Sequence, residues 1–147
     1  PVSDGIHLSW PLIKGGHRIK GVDRSALVTD AMREAGMPEG PSVLGSLKSG
    51  LEVIVEDGVA KLPDRTAFAG SVATMDRLVK NMIELADVSL ADAVKMASTV
   101  PASILGIHNQ KGDLSIGKDA DIVIFNENIT VQQTLVRGKL VFDVNKK

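Results

Sequence analysis

The sequence runs to 147 residues, 44% of them hydrophobic and 24% charged, with a formal net charge of −1. That balance excludes a disordered chain, and the lack of any basic block speaks against a nucleic-acid surface, which needs clustered Lys and Arg. Cysteine is absent, which excludes disulfides, a thiolate nucleophile and thiolate metal sites.

Residues 1–12, PVSDGIHLSWPL, read as a short loop with apolar flanks. The run Ala26-Leu27-Val28 in SALVTDA (25–31) reads as a buried strand presenting Thr29 and Asp30 at its C-terminal end. MREAGMPEGPSVLG (32–45) is rich in Gly and Pro and reads as an ordered loop. LEVIVEDGVAKLP (51–63) alternates around Asp57-Gly58, the dipeptide of a tight hairpin whose central residues both need positive φ.

The middle of the chain is helical. Val72, Met75, Val79, Met82 and Ala86 recur at helical spacing from Ser71 onward, with Asp76, Lys80 and Glu84 on another face. Ser89 with Asp92 three residues later predicts the N-cap of a second helix, whose buried side carries Leu90, Ala93, Val94 and Ala97. Pro101 suits the first turn of a third helix that stops near Gly106. The pattern then changes to period two. ADIVIF (120–125), ITVQQTLV (129–136) and KLVF (139–142) read as strands, with Arg137-Gly138 turning the last pair. The early strand lacks visible parallel partners, and an isolated strand is not a stable unit. The chain is therefore expected to be the back part of something larger. No apolar run approaches a membrane span and no secretory leader is recognised, so a soluble, cytoplasmic protein is expected.

Several chemical motifs fail on inspection. GDLSIGKD (112–119) matches phosphate-loop spacing until its last position, where Asp119 replaces the Ser or Thr that would hold magnesium. It also precedes a strand, whereas a phosphate loop follows one; a turn is expected. FAGSVAT is no nucleophile elbow, since Ala73 stands where the second Gly belongs, and Ser71 reads as a helix N-terminal residue. His7, His17 and His108 form no close pair on a helix face. His17 and His108 both read as solvated loop residues. Asp4 stands beside Gly5 and His7. Asp30 ends an apolar strand, where barrel enzymes carry catalytic groups; a helix cap or plain loop residue is the other reading.

DGIH (4–7), LVTDAMREAGMPEG (27–40), AGSVATMDRLVKN (69–81), AVKMASTVPASILGI (93–107) and KGDLSIGKDADIVIF (111–125) stand in this order. Together they closely resemble the C-terminal part of the amino-sugar 6-phosphate deacetylases of the amidohydrolase superfamily. KGDLSIGKDADIVIF is common to many amidohydrolases; DGIH with VTDA and AGS is specific to the deacetylases. The resemblance implies an α/β fold: the C-terminal portion of a (β/α)8 barrel over 1–110, with a hairpin insertion near 51–63, and strands of a flanking β-sandwich over 111–147. DGIH would end the seventh barrel strand and VTDA the eighth.

The implied reaction is hydrolysis of the acetamide of N-acetylglucosamine 6-phosphate, with the galactosamine epimer as an alternative substrate. Another amidohydrolase activity, or a structural or oligomerisation module, are further alternatives. Asp30 would be the catalytic acid/base. His7 would contact substrate beside the Asp4-Gly5-Ile6 backbone, and Phe68, Ala69 and Gly70 would match the substrate-contacting turn. Phe68 stands where a small aliphatic residue is usual. The family uses a divalent metal, zinc or similar, whose Glu and two His ligands would lie upstream. No metal ligand is placed in this chain, which alone is expected to bind no catalytic metal and to be inactive. A small-molecule amino-sugar phosphate, no nucleic acid, no membrane and a homo-oligomer complete the expectations.

Overall fold

The structure is a computed structural model and describes residues 1–146. After an irregular opening segment, helix α1 spans Trp10–Lys20. The loop expected over 1–12 therefore gives way to helix at Trp10. Pro11 fits the first turn, where its missing N–H leaves no bond unmade. His17, Arg18 and Lys20 sit in the last turn, where positive charge complements the helix dipole. Gly21 ends the helix at φ +74. Gly15 and Gly16 lower the local helix propensity, and the burial of Ile13 in the core compensates. His17 is consequently not a solvated loop residue: it is half-buried on α1, with its Nδ1 enclosed and unpartnered among the described residues. A single 3-10 turn, Val22–Arg24, follows.

Residues 25–31 do not form the strand that the apolar run predicts, and Asp30 departs from extended backbone at φ +48. Their ties are the Leu27 N–H to the Met96 carbonyl at 2.9 Å, the Val28 N–H to the Pro1 carbonyl at 3.2 Å, and one parallel bridge between Ala31 and Ser71. Leu27 is buried whereas Val28 is half exposed, because consecutive side chains of an extended segment point to opposite faces.

A four-stranded antiparallel sheet follows, ordered β1 (Gly40–Leu44), β2 (Leu51–Glu56), β3 (Val59–Lys61), β4 (Phe68–Ser71). The hairpin at Asp57-Gly58 has φ +54 and +72, as its sequence predicts. β1 falls inside the stretch read as loop; its residues pair with β2 from Gly40↔Val55 to Leu44↔Leu51. Val53, Val55 and Ala60 are the buried centre of this sheet, with Met32, Leu44, Ala69 and Val72 against them.

Three helices form the middle: α2 (Met75–Ala86), α3 (Leu90–Ala97) and α4 (Thr99–Ile104). Helix α2 begins later than the periodicity suggested. Ser71 closes β4, paired with Val59, and Thr74 is the N-cap. The Ser71 hydroxyl accepts from the Ala73 N–H at 3.0 Å, which holds the strand-to-helix turn. The Ser89 cap is as expected, its side chain accepting from the Asp92 N–H at 3.1 Å. Leu78, Val79, Met82, Ala86, Val88, Ala93 and Met96 pack with Ile13, Leu27 and Ala73 into the main core.

GDLSIGKD is a turn with no helix behind it. Asp113 accepts from the Ser115 N–H and pairs with Lys118 at 2.5 Å. The Lys118 ammonium, with the Ser115 donors, holds the Asp113 carboxyl down to about 2. A second sheet ends the chain, β5 (Ile122–Phe125), β6 (Val131–Val136) and β7 (Lys139–Asp143), in that order and antiparallel. Arg137-Gly138 turns the last hairpin with φ +48 and +74. His108 is exposed in a turn, as expected.

Candidate functional site

The Asp4-Gly5-Ile6-His7 loop is built around one carboxylate. The Asp4 side chain is fully buried. Its Oδ1 accepts from the Ile6 N–H at 3.0 Å and the His7 N–H at 3.1 Å, and its Oδ2 meets His7 Nδ1 at 2.7 Å. Burial pushes the Asp4 carboxyl up, but the bonds from Ile6 and His7 outweigh it and leave it below its ordinary value. Gly5 is required twice over. Its φ is +82, and a Cβ there would lie 2.4 Å from Trp10 Cζ2.

Helix α2 clamps the loop from beneath. Asn81 Nδ2 donates to the Ser3 carbonyl at 2.9 Å, Arg77 Nη2 reaches the Asp4 carbonyl at 3.4 Å, and the Ser3 hydroxyl donates to the Leu78 carbonyl at 3.4 Å. None of Ser3, Arg77, Asn81 or Trp10 was singled out from the sequence. The one available signal was the spacing of Arg77 and Asn81, which puts two polar side chains on one face of α2.

The loop meets β4 through its histidine. The His7 and Phe68 rings lie 5.4 Å apart between centroids at 52°, within the range of favourable tilted aromatic pairs. At the other end of β4, Ser71 bridges Ala31, and the Met32 N–H donates to the Ser71 carbonyl at 2.9 Å. Met32 Sδ would lie 3.4 Å from a Cβ at Gly70. The backbone next to Asp30 is thus tied to the strand that carries Phe68, Ala69 and Gly70. Asp30 itself is exposed and sits at φ +48. A left-handed conformation is uncommon outside glycine, although Asp tolerates it better than most, and it recurs at functional sites.

The three segments singled out from the sequence therefore converge on one strand: 4–7 on its Phe68 end, 31–32 on its Ser71 end. Asp30, one residue from the bridge, has no hydrogen-bond or ion-pair partner among the described residues and keeps its carboxylate free. His7 exposes part of its ring. The Asp4 carboxylate is spent inside the loop, which leaves its backbone as the part beside His7. Among the described residues no three His, Asp or Glu gather closely enough to hold a metal ion. The described residues do not by themselves fit a metal centre.

The amidohydrolase family pattern matches residues 16–141. The N-acetylglucosamine-6-phosphate deacetylase of Vibrio furnissii is 39% identical over 142 residues, 97% of this chain and 34% of the relative. The N-acetylgalactosamine-6-phosphate deacetylase of Escherichia coli O157:H7 is 40% identical over 118 residues, 80% of this chain and 30% of the relative. The crystal structure of N-acetylglucosamine-6-phosphate deacetylase from Pasteurella multocida superposes with a TM-score of 0.86 at 29% identity, covering 94% of this chain and 35% of that one. The chain thus spans about a third of the length of these relatives. Its mixed α/β arrangement is that of the matching portion of the deacetylase structure, and the chain belongs to the amidohydrolase family.

Proposed function

We propose that this chain supplies the proton-transferring carboxylate and one wall of the substrate pocket in an N-acetylglucosamine-6-phosphate deacetylase. The observation that carries the reading is the convergence of the Asp4–His7 loop, the Asp30 segment and Phe68–Gly70 on one strand. Hydrolysis of an acetamide adds water to the acetyl carbon and breaks the C–N bond, releasing acetate and an amine. One proton must leave the attacking water and one must reach the departing nitrogen. A single positioned carboxylate can carry both, and Asp30 is the free carboxylate beside β4. The partly exposed His7 ring and Phe68 form the wall against which the sugar phosphate is held, with the Gly5, Ile6, Ala69 and Gly70 backbone behind them.

The likeness to the deacetylase structure supports reading residues 1–110 as the C-terminal part of a (β/α)8 barrel and 111–147 as strands of a flanking β-sandwich. Deacetylases of the amidohydrolase family are in general metal-dependent, so a divalent metal is part of this proposal, its identity left to metal analysis. No helix among the described residues is long and apolar enough to cross a membrane. A cytoplasmic homo-oligomer acting on a small amino-sugar phosphate, with neither nucleic acid nor membrane as partner, completes the reading.

The test is Asp30→Asn in the complete deacetylase, assayed by acetate release from the glucosamine and galactosamine substrates in parallel. Turnover should fall by roughly 10²–10⁴-fold. Activity within a few-fold of the parent would sink the assignment. Faster release from the galactosamine epimer would move the substrate to the alternative that the 40% identical relative represents.

A further inference from the structure

The Asp4 carboxylate is fully buried and committed inside its own loop, Oδ1 accepting from two backbone N–H groups and Oδ2 from His7, so it does not face a ligand. We propose that Asp4 is a positioning residue for His7, holding the imidazole by Nδ1 so that Nε2 is the nitrogen turned to substrate. The inference rests on the reading of His7 as a substrate-contacting residue. It changes the part played by Asp4 from lining the pocket to setting the chemistry of its neighbour.

A carboxylate at neutral pH only accepts, and Asp4 is held ionised by its donors. The 2.7 Å contact therefore requires the proton on Nδ1. A neutral His7 then has its lone pair on Nε2, which has no partner among the described residues. The ring cannot swing away easily. Phe68 packs against it at 5.4 Å, and the loop beneath is fixed by Asn81 and Arg77. A histidine fixed by a buried carboxylate on one nitrogen presents the other in a defined direction and tautomer.

Asp4→Asn separates this role from mere bracing of the loop. Only an oxygen can accept from the Ile6 and His7 N–H groups, so the Asn oxygen must take the place of Oδ1. Its NH₂ then faces His7 Nδ1 as a donor. The loop stays braced while the preferred tautomer reverses, placing the proton on Nε2.

The measurement is ¹⁵N NMR of histidine-labelled full-length enzyme, with His7 assigned by His7→Gln, at about pH 9, above the ordinary imidazole value of ~6.5. The parent should show Nδ1 protonated and Nε2 bare, and Asp4→Asn the reverse. Acetate release by Asp4→Asn should lose about ten- to hundredfold in kcat/KM, chiefly through KM, as expected when a hydrogen-bond partner of the substrate is mismatched. Nε2 protonated in the parent, or the same tautomer in both proteins, would overturn the proposal. The parent spectrum decides the matter even if Asp4→Asn does not fold. An active Asp30→Asn enzyme would sink the functional reading without moving the tautomer, so the two failures are distinguishable.

Discussion

In the helical region, α2 and α3 turn whole side chains inward, and Leu78, Met82, Ala93 and Met96 lose all contact with solvent. In the three-stranded sheet β5–β7 no residue is buried, and Val123, Ile124, Leu140, Val141 and Phe142 all remain well exposed. Both regions have regular backbone pairing of their own kind, although β5 and β7 are edge strands bonded on one side only. The two ladders, β5 with β6 from Ile122↔Leu135 and β6 with β7 to Val136↔Lys139, run through with one register shift each. Hydrogen bonding and burial are thus separate achievements. A hairpin closes through its turn residues, whereas apolar area leaves water only when a second surface covers it. Helices α2 and α3 cover one another, with α1 and Leu27 beside them.

The contrast can be attacked from its strongest side. Leu78→Ala removes a fully buried side chain from the main core and should lower unfolding free energy by about 2–5 kcal/mol, measured from urea titrations. Ser89→Ala deletes the cap on α3 and should cost about 1 kcal/mol. The effect belongs to the same cooperative unit, so hydrogen exchange should quicken across α3 first.

Smaller still, and confined to acid, is the contribution of Asp4. Its folded carboxyl lies below the ordinary value of 3.8. Its stabilisation is therefore complete above that value and is lost as pH falls through the lower, folded one. Stability followed from pH 6 to about pH 2 should show that acid limb in the parent and lose part of it in Asp4→Asn. The smallest effect is expected for Val141→Ala, 61% exposed on β7, within about 0.5 kcal/mol of the parent. A loss approaching that of Leu78→Ala would break the comparison, because it would mean that a surface covers β7 in solution.

What the sequence made legible is what local chemistry decides. Asp57-Gly58 and Arg137-Gly138 announce their turns because only certain residues accept positive φ there. Ser89 announces α3 because its oxygen can reach the Asp92 N–H. The missed elements depend on partners distant in the chain. Helix α1 contains Pro11, Gly15 and Gly16 and is stabilised by the place of Ile13 in the core. β1 is a strand because β2 returns beside it. The candidate site divides in the same way. DGIH, VTDA and FAG could be picked out by resemblance, but no spacing in the sequence says that His7 lies against Phe68, or that Ala31 bridges Ser71. The bond between Asp4 and His7 was the exception within reach, since Asp readily accepts from N–H groups two and three residues ahead.

The contact between Gly5 and Trp10 has an evolutionary corollary. A Cβ at position 5 would fall 2.4 Å from the indole, so the two positions are tied, yet not symmetrically. Shrinking Trp10 would remove the collision but would leave the φ of +82, which still disfavours every residue with a side chain. Among descendants of this sequence, position 10 is therefore held only by its packing against the main core, while position 5 stays glycine. Substitutions should accumulate at the tryptophan first, and an exchange at position 5 should survive only where the loop has changed its backbone path.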